Sequence, residues 1–207
     1  MKILNIMKKE FEEIRKKKYF KYIVGFGIIM KVIILIIFLV PLLSFSQELV
    51  IGEERVEPGI VLIFEGAIKD VIEPKSNNLS VEETNVHIEA RVNWDSVNIP
   101  DGTPPGGFVP YLKISSIIYN EKTGLKTFID LTPHINMIDN FHYARNISLP
   151  GEVDELYTVE FKINAPHEFD LAFHKDWLEK FGKDLFQNIS FKYKNVDFEE
   201  IAKASRD

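Results

Sequence analysis

Between Thr84 and Trp94 the chain reads TNVHIEARVNW. Its side chains alternate: Val86, Ile88, Ala90, Val92 and Trp94 against His87, Glu89, Arg91 and Asn93. A period of two sends successive side chains to opposite faces, so this stretch predicts a half-buried β-strand with one apolar and one polar face. A helix would scatter the same apolar set around its circumference. Leu156–Ile163 repeats the pattern, with Tyr157, Val159, Phe161 and Ile163 set against Thr158, Glu160 and Lys162. In Leu185–Tyr193 the side chains of Leu185, Gln187, Ile189, Phe191 and Tyr193 share a face. Shorter apolar runs predict further strands over Ile60–Phe64, Ala67–Ile72, Phe108–Tyr119, Lys126–Leu131 and Tyr143–Leu149. They are separated by PKSNN, NIPDGTPPGG, NEKTG and LPGEVDE, which are turn chemistry. The expectation is an all-β, immunoglobulin-like antiparallel β-sandwich over residues 47–207. HKDWLEKFG and the tail FEEIAKASRD predict short helices.

The amino terminus is of another kind. Residues 1–31 carry nine Lys or Arg and three Glu, a balance of +6 within an overall −6, which leaves −12 for the remainder. From Ile23 to Phe45 the only charge is Lys31. Residues 1–46 therefore predict a cytoplasmic basic segment and a transmembrane helix, with the rest of the chain exported. Two readings stand. The helix is an uncleaved anchor, or Val32–Val40 is the apolar part of a signal peptide cut after Ser44-Phe45-Ser46. The exported part is then periplasmic or otherwise extracytoplasmic, free or anchored to the cytoplasmic membrane.

Composition excludes several chemistries. The chain has no cysteine, which removes disulfides, thiolate metal ligands and cysteine nucleophiles. An acidic domain is unsuited to phosphate neutralisation, so no nucleic-acid partner is expected. The chain shows no P-loop and no G-x-S-x-G elbow, and no nucleophile–base pair that would indicate an enzyme.

The five histidines carry more information. His87 and Glu89 lie two apart on one predicted strand and project from the same face. TPHINMIDNFHYA puts His134, Met137, Asp139 and His142 into one connection, and APHEFDLAFHKDW supplies His167 and His174. Imidazole combined with carboxylate or thioether suits copper, zinc or iron. Taken singly, each histidine reads more readily as a packing or surface residue, and Met137 as a core filler.

Four segments together resemble the periplasmic iron-transport protein family, small exported β-sandwich proteins found beside an iron permease and known also from a membrane antigen of pathogens. They are EPGIVLIFEGAIKDVIEPKSNNLSVEETNVHIEARV, GGFVPYLKISSIIYNEKTG, HINMIDNFHYARNISL and FHKDWLEKFG, in the family's order from Val56 to Tyr193. The resemblance implies copper held by three histidines and a methionine, with a nearby glutamate linked to iron or manganese. His87 and Glu89 match the first histidine and the glutamate. His142 and His174 match the other two histidines, and Asp139 matches an acid three residues before the second. His167 matches nothing. The family methionine follows a proline, whereas here Pro133 precedes His134 and Met137 lies three further on. Either His134 replaces the thioether or Met137 swings in. A fourth imidazole would turn the site from Cu(I) towards Cu(II), zinc or ferrous iron. Arg91 and Asn93 stand where the family has Asp and His, which weakens the case for an auxiliary iron site.

The expected site is therefore His87, His134, His142 and His174, with Glu89 as ligand or orienter, and metal binding that weakens below about pH 6.5. The resemblance implies a non-enzymatic protein of iron uptake that passes iron to an inner-membrane permease. It also implies a homodimer, which would put ligands from both chains around one ion. The competing expectations are a periplasmic copper- or zinc-holding protein without an iron role and an envelope adhesion module.

Overall fold

In the computed structural model, residues 6–17, 19 and 48–205 are described, and the chain divides into two units, Met1–Phe45 and Ser46–Asp207. In the first, a helix, α1, covers residues 6–17. The expected membrane-crossing or signal segment, Ile23–Phe45, lies outside the described residues. Among those described, no helix is long and apolar enough to cross a membrane.

The second unit is built from β1 (Glu48–Val56), β2 (Ile60–Ala67), β3 (Val86–Trp94), β4 (Lys113–Asn120), β5 (Lys126–Asn136), β6 (Asn140–Ile147), β7 (Leu156–Asn164) and β8 (Ile189–Asp197). Two short helices accompany them, α2 (Lys175–Phe181) and α3 (Glu199–Lys203). All pairings are antiparallel, in the order β1-β2-β3-β6-β5-β4-β7-β8. β5 turns the corner. Its Lys126–Leu131 half pairs with β4, and its Thr132–Asn136 half pairs with β6. One folded sheet therefore makes two layers, β2-β3-β6-β5 against β4-β7-β8. That is the immunoglobulin arrangement with β1 added at an edge. Tyr157, at the start of β7, donates its hydroxyl to the Glu152 carbonyl at 2.6 Å, the tyrosine corner of such sandwiches.

The even-numbered residues of β2 and β3 point inward and meet the odd-numbered residues of β7. Ile60, Leu62, Phe64, Val86, Ile88, Ala90 and Val92 are buried against Tyr157, Val159, Phe161 and Ile163. Phe64 and Phe161 stack across the layers at 4.2 Å between centroids. The far edges nearly meet. The Tyr193 ring of β8 lies over Gly52 of β1, and its hydroxyl donates to Glu54 Oε1 at 3.0 Å.

The outline matches the alternation, with local differences. β1 carries a bulge between Val50 and Gly52 that breaks its parity, so the pattern does not reveal it. Ala67–Ile72 is not a strand. The chain leaves the sheet after Ala67 and crosses the outer face of β3. Phe108–Leu112 and Leu185–Asn188 are likewise loop, although Phe108 bridges Asn93. The largest difference is the polar face of β3. It is not exposed: His87 and Glu89 are 2% and 1% accessible.

Candidate metal centre

Strand register assembles the site. β3 pairs His87 with Asn146 and Glu89 with Ala144, and β6 pairs His142 with His134 on β5. All these side chains point to the outer face of the first layer. There they line a cleft of about 360 Å³, roofed by Asp70–Glu73 of the β2–β3 connection. One ligand atom from each of His87, His134 and His142 lies within 4.8 Å of the others. A tetrahedral ion with metal–nitrogen bonds of about 2.0–2.1 Å would hold its nitrogens about 3.4 Å apart. The three imidazoles are thus gathered near ligating distance.

Two of the rings are aimed by their second nitrogen. His87 Nδ1 lies 2.7 Å from Asn146 Oδ1, and His142 Nδ1 lies 3.1 Å from the Asn140 carbonyl. In both the Nε2 atom is left facing Glu89 Oε1, at 3.5 and 3.9 Å. Hydrogen bonding at one nitrogen to set the lone pair of the other is how metal-bound imidazoles are held. The third ring, His134, accepts or donates at Nε2 with Thr132 Oγ1 at 3.2 Å, while its Nδ1 is buried with no hydrogen-bond partner. A buried nitrogen in that state is costly unless a ligand completes it.

Burial sets the charge. It pushes the His134 imidazole down to about 4, with the neighbouring His142 and Arg145 acting in the same direction. Burial lowers His142 as well, against the opposing pull of the Asn140 carbonyl and Asp139. These two rings are neutral at pH 7 and offer lone pairs. Neutral nitrogens with one carboxylate oxygen make a donor set suited to Cu(II), Zn(II) or Fe(II).

The remaining residues singled out in the sequence lie elsewhere. Met137 is at the tip of the β5–β6 turn and is 104% accessible. Asn136 Oδ1 accepts from the backbone of Ile138 and Asp139, and this tight turn holds the thioether outward. His134, and not Met137, is turned into the cleft with His87 and His142. Asp139 lies 3.7 Å from Arg91 and accepts from Asn136, so its carboxylate serves the turn and an ion pair. Arg91 also bonds Glu65 at 2.7 Å and lies 3.8 Å from Glu48. The Glu65 carboxyl is raised by burial even so. His174 precedes α2 and is exposed on a separate apolar recess lined by Trp94, Phe173, Trp177 and Leu185. Within one protomer it does not join the other three. Sequence reasoning passed over Asn146, which only the register sets beside His87, and over Thr132 and Asn140, which lie two residues before His134 and His142 on their own strands.

Comparison with known proteins adds three findings. A family model described as Fe2+ transport protein matches residues 45–200. The 34 kDa membrane antigen of Treponema pallidum (strain Nichols) is 29% identical over 97 residues, 47% of this chain and 47% of the antigen. The chain thus spans about half the length of that curated relative. Among solved structures, a copper-bound variant of Campylobacter jejuni P19 superposes with a TM-score of 0.60 at 26% identity, covering 72% of this chain and 96% of that one. A copper-bound variant of uropathogenic Escherichia coli FetP gives 0.59 at 24%, covering 73% and 99%.

Proposed function

The chain belongs to the Fe2+ transport protein family, and from that premise we propose that its sandwich domain binds a transition-metal ion, copper or ferrous iron, for iron uptake outside the cytoplasmic membrane. The observation that carries this is the convergence of His87, His134 and His142 within 4.8 Å, with the Glu89 carboxylate 3.5 and 3.9 Å from the first and third of them. Copper in the similar solved structures and the family's iron description support the two candidate ions. The ion is cargo or a bound cofactor rather than the centre of a catalytic step. The chain's own groups bind it, exclude water beneath the 68–85 connection, and balance its charge with Glu89. An iron permease in the membrane is the proposed recipient.

The reading includes a second copy of the chain. One protomer supplies three imidazoles and leaves a coordination position, while its His174 stands on an apolar recess away from them. The β5–β6 tip beside the site is apolar and exposed, which suits it to such a recess on a partner copy.

Calorimetric titration of Cu(II), Zn(II) and Fe(II) into the full chain tests the site. His87→Ala is expected to lose roughly tenfold to a hundredfold or more in affinity, as removal of even an orienting group does. Equal affinity in both proteins removes the site. Normal growth of a deletion strain under iron limitation removes the transport role and leaves metal holding.

A further inference from the structure

Asn146 is a single amide with three partners. Its Nδ2 lies 3.0 Å from the Asp70 carbonyl oxygen and 3.0 Å from that of Leu79. Carbonyl oxygens only accept, so both protons of the NH₂ group are committed and the orientation of the amide is fixed. Its Oδ1 then faces His87 Nδ1 at 2.7 Å. That oxygen also only accepts, so the proton between them must sit on Nδ1. In the other tautomer two lone pairs would meet at this distance, at a position where Asn146 and His87 are each 2% accessible and no water can intervene.

We infer that Asn146 is a positioning residue: it locks His87 in the Nδ1–H tautomer, so that Nε2 is the nitrogen His87 presents to the histidine cluster. The same side chain pins the β2–β3 connection at two points nine residues apart in sequence, and Asp70 lines the cleft. Placement of the roof and choice of the ligating nitrogen are therefore one structural decision. A displaced 68–85 segment frees the amide to rotate, and a rotated amide offers His87 a donor instead of an acceptor. The N-I-S context of Asn146 carries none of this, since the role follows only from the register partner His87.

Long-range proton–nitrogen spectra of the ¹⁵N-labelled full chain, recorded without metal at about pH 8, above the ordinary imidazole range, read the tautomer directly. The expected result is a protonated Nδ1 and an unprotonated Nε2 at His87. The reverse pattern, or an even mixture, overturns the inference without any variant being made. Asn146→Asp keeps the acceptor and is expected to keep the tautomer. Asn146→Leu is expected to shift it towards Nε2–H and to weaken Zn(II) binding by about 10- to 100-fold. An Asn146→Leu protein that folds, keeps Nδ1–H and binds Zn(II) within about twofold of the parent also overturns it. The affinity arm rests on the metal reading above. The tautomer arm involves no metal, so loss of that reading leaves it standing or falling by itself.

Discussion

His134 and His142 reach the cleft with their charge already removed, and this alters how the protein should answer to acid. An unfolded His134 titrates near 6.5, and the folded one near 4. Between those values the unfolded chain holds a proton that the folded chain lacks. Stability from this residue is therefore full above about 6.5 and falls as pH drops towards 4. Glu65 acts oppositely. Burial raises its carboxyl, so the folded state keeps a proton longer and stability falls as pH rises from the ordinary carboxyl value through the raised one. The two windows overlap, and a single substitution separates them. His134→Asn keeps a polar group beside Thr132 and removes the titration. Urea midpoints compared from about pH 7 to about pH 4 are expected to move in the variant's favour on acidification. A constant difference across that range means that the ring is not desolvated as described. Burial lowers both His134 and His142, so proton competition for the metal should begin lower than ordinary imidazoles would suggest. Only part of this was legible. Two-residue spacing put His87 beside Glu89, but burial of that face depends on a connection that apolar spacing alone reads as another strand.

At the scale of elements, alternation is a faithful guide where a strand is straight and backed by the core. β3 was legible to the residue, β7 to within one residue, and both short helices from their composition. It fails where geometry breaks the parity: at the bulge of β1, and after Ala67, where Ile68 is still buried but the chain has turned away. The β5–β6 hairpin shows what a local pattern can and cannot specify. Its register, His134 opposite His142, makes half of the site. Its tip leaves Ile135, Met137, Ile138 and Phe141 exposed, which a strand pattern does not explain. Exposed apolar side chains grouped on a rigid turn are a recurrent mark of an interface. Met137 and Ile138 touch solvent rather than core, so Met137→Ser combined with Ile138→Ser should change the melting temperature little. Sedimentation is expected to show the parent as a dimer and this variant shifted to monomer. A monomeric parent, or a variant that stays dimeric, places the second copy elsewhere or nowhere.

The whole domain depends on a sheet that folds back until its first and last strands almost touch. The closure is narrow. Beyond the tyrosine hydrogen bond to Glu54, β1 and β8 are brought together by a ring packed against a residue with no side chain. A Cβ placed on Gly52 would stand 2.2 Å from two ring carbons of Tyr193, well inside contact distance. Backbone freedom is not the issue here. The requirement is space, at the bulge that swings β1 over β8. Gly52→Ala must push the ring outward, lengthen its bond to Glu54 and open the seam, a form of overpacking that costs roughly 1–3 kcal/mol. For a domain of this size, that is a fall in melting temperature of several degrees. Removing the ring as well, in Gly52→Ala with Tyr193→Ala, should cost less than the sum of the two single changes, because the clash is gone. Strict additivity would mean that the two strands do not meet through this pair. The cleft lies on β3, β6 and β5, and its nearest member, β3, is separated from the seam by β2. Metal affinity measured well below the melting temperature should therefore be unchanged in Gly52→Ala. Site and closure are separate tasks of one folded sheet, and a variant that loses both together would show that the sheet transmits strain across its width.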